Sequence, residues 1–351
     1  AERVGDAVAS PEAVRSCSQS AADSRPDART ARSRPRREAP EARAVAEARQ
    51  RRIERELPER PVLGRDAVAE VVGPAAAADV GVVGLRDLRA QDNAALHHAL
   101  KNCRQLHCVF VFDRAILDAL PRADRRVEFI RESAAELDAQ LRAFNGKPGA
   151  GLITQHAVAA DALPRLAQEL GVQAVFANHD YEPYATERDT QVRGALANLG
   201  IALHTYKDQV IFERDEVMTQ LGTPYGVFTP YKNAVLKKLA ERSDGYYLKA
   251  YAVEPYTAAL TERPPALRHD VPSLAALGFE STNLQALKIP VGASGGAKLF
   301  AEFFERMDEY HSTRDFPAVK GPSYLGVHLR FGTVSIRKLA SAAYLRHLRG
   351  S

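Results

Sequence analysis

Hydrophobic residues between about positions 85 and 212 fall into two rhythms that alternate along the chain. His107, Cys108, Val109, Phe110, Val111 and Phe112 make an uncharged run that reads as a buried strand ending at Asp113. The next segment, 125–144, places Val127, Ile130, Ala134, Leu137 and Leu141 on one face of a helix. Further strands are predicted at 151–154, 174–177 and 202–205, with helices at 160–170 and 186–199 closed by Gly171 and Gly200. Strand–helix alternation with short connections predicts a doubly wound, mostly parallel α/β sheet, Rossmann-like in architecture. Ligands of such sheets sit beyond the carboxyl ends of the strands, where Asp113 and the run Asn178-His179-Asp180-Tyr181-Glu182 lie.

Past the sheet the pattern changes. A turn-rich lead-in at 221–230 precedes a helix predicted over 231–241 and packed against the α/β domain. Residues 243–295 are rich in Pro, Gly and Ser and read as a long interdomain connection. After Gly295 and Gly296, Leu299, Phe303, Met307 and Tyr310 line one face of a helix ending near His311. Phe316-Pro317 and Gly321-Pro322 then break the chain. Ser335 suits the N-cap of a last helix whose apolar positions are Leu339, Ala343 and Leu348. The domain boundaries expected from these shifts are 1–83, 84–212, 213–295 and 296–351.

Composition sharpens the first boundary. No Phe, Tyr or Trp precedes Phe110 and no Lys precedes Lys101, and the first eighty residues are largely Ala, Arg, Glu, Pro and Val. Such a segment buries too little apolar area to offset its ordering entropy. Its Asp and Glu nearly balance its Arg, which argues against a basic nucleic-acid arm, while i,i+4 Glu–Arg pairs permit a charged helix over 41–59. No apolar run approaches the ~20 residues of a membrane span, and no signal-peptide order opens the chain, so a cytoplasmic protein is expected. The three cysteines, Cys17, Cys103 and Cys108, do not form a disulfide framework, and a net charge of +4 permits nucleic-acid contact without requiring it.

Candidate chemistry is sparse. No dinucleotide Gly-x-Gly-x-x-Gly follows a strand and no Walker-type Gly-Lys-Ser/Thr occurs. Cys103, His107 and Cys108 are expected to be core thiols with a stray His rather than metal ligands, and His97-His98 a solvated pair. The 178–182 run reads on spacing alone as a polar strand-to-helix turn. Gly321-Pro322-Ser323-Tyr324-Leu325-Gly326, a small-residue turn before a helix, suits a pyrophosphate, with the Ser323 hydroxyl as an extra donor. An ordinary helix–loop–helix accounts for the same residues.

Residues 310–335, YHSTRDFPAVKGPSYLGVHLRFGTVS, closely resemble the flavin-binding segment of the DNA photolyase/cryptochrome family. Arg86-Asp87-Leu88-Arg89 through Leu96 resembles that family's N-terminal signature. Asn178-x-x-Tyr181-Glu182 with Arg188-Asp189 resembles its third-strand motif, and Phe228-Thr229-Pro230-Tyr231-Lys232-Asn233 its linker box, with Val235 in place of a Trp.

The resemblance implies a photolyase-like α/β domain followed by the start of an all-helical FAD-binding domain. It implies FAD contacts at Tyr310, Pro322, Ser323, Tyr324, Leu325 and Gly326, and a DNA phosphate contact at Arg314. Pro322 and Gly326 stand where the family loop has Thr and Ser, so two hydroxyl donors are missing. A second antenna chromophore, a folate or a deazaflavin, is implied for the α/β domain. The family's folate-holding Asn-Glu pair aligns with Tyr184-Ala185 here.

The function implied is light-driven repair of cyclobutane pyrimidine dimers in DNA by a monomer. A cryptochrome-type signalling protein, or a bare α/β interaction or nucleotide-binding domain, are the alternatives. The family's next segment is Trp-rich, and this chain has no Trp. It is therefore expected to stop inside the catalytic domain, to hold FAD weakly or not at all, and not to repair DNA by itself. No catalytic residue is assigned within the chain, and those the resemblance implies are expected beyond Ser351. The family also opens on a Val-Trp-Phe-Arg-Arg-Asp strand. Because the match here begins abruptly at Arg86, residues before about Gly84 are expected to come from a shifted frame or wrong start, with no selected fold.

Overall fold

The computed structural model describes residues 78–144, 146–147, 149–242 and 245–348. The helix expected over 41–59 and Cys17 lie outside them. So does Ser351, the position past which the catalytic residues are expected, and the described residues therefore do not bear on that expectation. Five strands, β1 (Ala78–Gly84), β2 (Cys103–Asp113), β3 (Leu152–Ala157), β4 (Ala174–Asn178) and β5 (Ala202–Tyr206), form one parallel sheet in the order β3-β2-β1-β4-β5. The connections carry α1 (Ala94–Asn102), α2 (Arg114–Leu117), α3 (Arg125–Ala143), α4 (Ala159–Glu169) and α5 (Pro183–Asn198). Strand order reverses between β1 and β4, which makes the sheet doubly wound as the alternation predicts. Successive strand residues point to opposite faces. Val83, Cys108, Leu152 and Phe176 pack under α1 and α3, whereas Val82, Val109, Ile153 and Val175 pack under α4 and α5. Each such buried aliphatic or aromatic side chain contributes about 1.5–3 kcal/mol.

Gly171 and Gly200 take φ of +63° and +71° after α4 and α5. In each case the next N–H reaches back into the helix, Val172 to Ala167 O at 3.1 Å and Ile201 to Leu196 O at 2.9 Å. Both helices thus end as the sequence predicts.

The N-terminal boundary is corrected. β1 begins at Ala78, and its Val82 and Val83 are fully buried at the centre of the sheet, paired with both β2 and β4. Residues 78–83 therefore belong to the α/β domain and are not a tail without a fold. Gly81 has a packing reason rather than an accidental one: a Cβ there would collide with the Cys103 Sγ on β2.

The connection after β5 is also more structured than a linker. Val253, Leu260, Val271, Leu277, Phe279 and Leu284 are all buried, and Leu260 bridges to Leu106 at the start of β2. The Arg263 guanidinium, itself buried, donates to the carbonyls of Gly149, Leu152 and His269 at 3.3, 3.0 and 3.0 Å. These contacts strap the segment to the sheet. By contrast α6 (Phe228–Ala240) starts three residues before its predicted start and buries none of its residues, with Phe228 74% exposed. The expected packing of this box on the α/β domain is not found.

The C-terminal part holds α7 (Gly292–Arg306), a 3-10 turn at Met307–Glu309, α8 (Tyr310–Thr313), α9 (Gly326–Arg330) and α10 (Ile336–Leu348). α7 begins before the glycine pair rather than after it, and Gly295 and Gly296 are buried within it. The Ser335 hydroxyl accepts from the Lys338 N–H at 3.3 Å, the N-cap the sequence predicts. Of the apolar positions expected on α10, Leu339 is half-buried whereas Ala343 and Leu348 are exposed.

What locks α10 to the α/β domain is a buried set of charges. Asp208, just after β5, receives Arg89 Nη2 at 2.5 Å and Arg337 Nη2 at 2.7 Å. Arg337 Nε also donates to Asp92 Oδ1 at 2.9 Å, and Ser335 donates to Asp92 Oδ2. Asp208 Oδ1 takes the Ala94 N–H at the start of α1, 3.0 Å away. Burial alone would raise the Asp208 pKa, but Arg89 and Arg337 overcome it and hold the carboxyl ionised, below its usual value. Removing one member leaves the others charged and dry. Arg337→Ala should therefore cost about 3–5 kcal/mol of unfolding free energy in urea titration. It should do so with early loss of α10 protection in amide exchange, and an unchanged urea midpoint would show that the pairs carry no stability.

Candidate chromophore crevice and flavin loop

Two places in the fold have the form of ligand sites. The first is an open crevice of about 240 Å³ beyond the carboxyl ends of the strands, where the strand order reverses. Its walls are largely apolar, from Val109, Val111, Leu163, Val192 and Leu203, with Phe331 reaching in from the C-terminal part. Its polar lining includes Arg86, Asp113, Asn178 and Thr205. Asp113 and Asn178 stand at the ends of β2 and β4, where the sequence reading put them.

Each polar group at the crevice is held by specific partners. Asp113 Oδ1 accepts from the Ala115 and Ala159 N–H groups at 3.1 and 3.2 Å, and Oδ2 from the Tyr184 hydroxyl at 3.0 Å. Buried Asn178 donates to Asp87 Oδ2 and Asn93 Oδ1 at 2.8 and 3.1 Å and accepts from the Ala95 N–H at 2.9 Å. It fastens three segments together and is more than a turn residue. Burial first, then the nearby Asp208 charge, push the Asp87 carboxyl up. Arg86 pairs with Asp180 at 3.0 Å and donates to Gln209 at 2.7 Å.

His179, read from the sequence only as part of a polar turn, joins Glu213 Oε2 through Nδ1 at 2.8 Å and Thr205 Oγ1 through Nε2 at 2.9 Å. Burial would raise the Glu213 pKa, yet hydrogen bonds from His179 and Tyr181 and the charge of Lys207 bring it to about 2. Burial, then Glu213, push the Tyr181 hydroxyl up.

The second place is the loop between α8 and α9. Arg306 donates to the carbonyls of Lys320 and Pro322 at 2.7 and 2.8 Å, pinning the loop to α7. Tyr324 is left-handed at φ +57° and Leu325 right-handed at φ −85°. A change of backbone hand at successive residues is the kind of turn from which anion cradles are built. Leu325 is buried beneath the loop while Tyr324 is exposed, and the Ser323 hydroxyl accepts from the Leu325 N–H at 3.4 Å. The Tyr310 ring is 40% exposed and meets Phe303 edge-on at 5.9 Å, and Arg314 is exposed with its guanidinium 6.0 Å from the Tyr310 ring. Pro322, Ser323, Tyr324, Leu325 and Gly326 thus share one loop, with Tyr310 and Arg314 on the neighbouring α8 turn. Four residues of α9 separate Gly326 from Phe331 in the crevice wall, roughly 8 Å of helix from one to the other.

Other sequence expectations resolve more simply. Cys103 and Cys108 are buried, and burial pushes their thiols up to about 11 and about 12. His97 and His98 are not a solvated pair. His98 stacks on Tyr206 at 4.2 Å and burial holds its pKa down near 4, while His97 Nδ1 donates to Ala252 O at 2.6 Å and so ties the strap to α1. No helix among the described residues is long and apolar enough to cross a membrane.

A doubly wound α/β domain with a crevice at its switch point, followed by a helical segment, is the architecture these residues define. The family model described as DNA photolyase matches residues 84–249. A deoxyribodipyrimidine photo-lyase from Synechococcus is 31% identical over 264 residues, covering 75% of this chain and 53% of that protein. Cryptochrome-1 of Gallus gallus is 23% identical, covering 72% of this chain and 41% of its own. Among solved structures, an archaeal photolyase from Sulfolobus tokodaii, described with two FAD molecules and a novel light-harvesting cofactor, superposes with a TM-score of 0.57. It is 24% identical and covers 77% of this chain and 57% of that one. The chain belongs to the DNA photolyase/cryptochrome family of flavoproteins. It spans about half the length of the curated relatives it matches.

One wall of the crevice depends on a glycine. Gly332 follows Phe331 with φ +62°, and a Cβ there would collide with Asp87 Oδ1 and fall 2.7 Å from the Asp87 Cα. Gly332→Ala should destabilise the protein by about 2 kcal/mol or more. The companion Gly226→Ala, where a Cβ meets nothing within 4 Å, should be near neutral in the same thermal melt.

Proposed function

We propose that this chain is the crevice domain and flavin-contacting segment of a light-driven, FAD-dependent repair protein for cyclobutane pyrimidine dimers in DNA. The observation that carries the reading is the 310–326 segment, whose family-like residues fold into one pinned loop with a change of backbone hand at Tyr324, beside an exposed aromatic ring. Reduced FAD, when bound, supplies the blue-light-driven electron that splits the dimer and is regained afterwards. The residues of this chain do the holding. The backbone of Tyr324, Leu325 and Gly326, with the Ser323 hydroxyl, would hold the pyrophosphate, Pro322 and Gly321 would set the turn, and Tyr310 would cover one side of the cofactor. Arg314, exposed on the same turn, contacts a DNA phosphate and thereby positions the duplex without reading its sequence. The dimer leaves the base stack to reach a buried flavin.

The crevice takes the second chromophore in this reading. The positions of the family's folate-holding pair are occupied by Tyr184, whose hydroxyl is committed to Asp113, and by buried Ala185. A planar ring is therefore held by apolar walls rather than by that pair. The similarity to cryptochromes supports a second reading, blue-light signalling on the same scaffold, which repair activity in a photolyase assay would exclude.

Equilibrium dialysis of the 351-residue chain against FAD tests the flavin assignment. Tyr310 and Tyr324 are 40% and 52% exposed, so the loop covers one side of a ligand only, and weak, saturable binding that Tyr310→Ala reduces is expected. Absence of any saturable binding would overturn the assignment. In DNA titrations, Arg314→Ala should weaken damaged and undamaged duplexes alike and lower the log–log salt slope by about one. A loss confined to damaged duplexes would give Arg314 a lesion-reading role instead.

A further inference from the structure

Leu203 and Thr205 lie two apart on β5 and share the crevice face, while His204 and Tyr206 turn to the other side, against Phe176. Thr205 thus adds a hydroxyl beside Val192 and Leu203 in a lining whose charged members are Arg86, Asp113, Arg188 and Asp189. Behind it stand His179 and Glu213, in line through hydrogen bonds of 2.9 and 2.8 Å. We propose that Thr205, His179 and Glu213 form a relay that sets the hydrogen-bonding polarity of the crevice wall, and so decides which edge of a planar heteroaromatic ring it receives. The inference rests on the crevice being a chromophore site.

The logic follows from counting protons. The Glu213 carboxylate can only accept, so His179 Nδ1 carries its proton toward it. In neutral His179 the Nε2 is then bare and must accept the Thr205 O–H. The Thr205 oxygen is left with lone pairs for the ligand, and the wall receives a ring N–H. When His179 takes a second proton at Nε2, it donates to Thr205 Oγ1. The hydroxyl proton is released toward the crevice, and the wall then receives a ring carbonyl. One proton bound at Nε2 reverses the polarity seen across the relay.

The surroundings suit this role. Glu213 also accepts from the Tyr181 hydroxyl at 2.6 Å, so its carboxylate is held in place from two sides. The other charged groups at this corner are mostly paired with one another: Arg86 with Asp180 at 3.0 Å and Lys207 with Glu216 at 2.6 Å. Arg214 lies on the Tyr181 side, and Arg86 donates to the His179 carbonyl at 3.3 Å rather than to its ring.

Lumiflavin and its N3-methyl derivative are suitable probes, since they differ only in one ring N–H. Fluorescence titrations of the 351-residue chain would be run at about pH 8.5 and about pH 5, either side of the imidazole range. At the higher pH lumiflavin should bind about five-fold more tightly than the methylated ring, the worth of one hydrogen bond. At the lower pH the preference should vanish. Thr205→Val should abolish the preference at both pH values and Thr205→Ser should restore it. Binding of both probes with no preference at either pH, or a preference untouched by Thr205→Val, overturns the relay while leaving the crevice as a ring site. Failure of both probes to bind the wild-type chain overturns the crevice reading itself.

Discussion

Asp208 is where the structure is held together. It lies past the last strand and is buried, and its two oxygens receive a guanidinium from the first loop of the sheet, another from the final helix, and the first N–H of α1. An ionised carboxylate in that position would be costly alone, and two arginines make it tolerable only if both arrive. Segments far apart in the chain are therefore fixed in one arrangement: the Arg89 loop, the loop after β5 and α10. Leu345 and Leu348 of α10 remain exposed, so the buried charge set contributes to holding this helix where apolar burial is small.

That arrangement is what creates the crevice. With α10 anchored, Phe331 O accepts from the Leu88 N–H at 3.0 Å and Gly332 O from Arg89 at 3.0 Å, so the segment after α9 lies along the carboxyl edge of the sheet. Phe331 thereby becomes a wall of a site otherwise built from strands and α/β helices. The loop that precedes α9 is pinned by Arg306, and α9 joins it to Phe331.

Much of the architecture is legible in one dimension. The alternation of strand and helix periods, the glycines at helix ends and the Ser335 cap translate directly into observed elements, because each depends on neighbours within a few residues. β1 is the instructive failure. Its seven residues include two glycines and three valines, with no aromatic, and it follows a segment whose composition resists packing. Its strand character comes from being flanked by β2 and β4, and Gly81 is small because Cys103 is close. The same holds for the strap at 248–284, whose aperiodic sequence with four prolines looks like a linker until the sheet supplies a surface for Val253, Leu260 and Phe279.

The amino-acid sequence by itself determined the fold class, the family resemblance and the loop residues from Tyr310 to Gly326, since contiguous motifs survive intact in a string of letters. Only the tertiary structure decided that Asn178 is a buried fastener, that His98 lies in an aromatic stack, and that Thr205, His179 and Glu213 stand in line behind the crevice wall. Those relations join residues brought from separate strands and loops, with no common period or spacing. They exist because parallel strands deliver their carboxyl ends to one edge, where a hydroxyl, an imidazole and a carboxylate from three segments come within hydrogen-bonding distance.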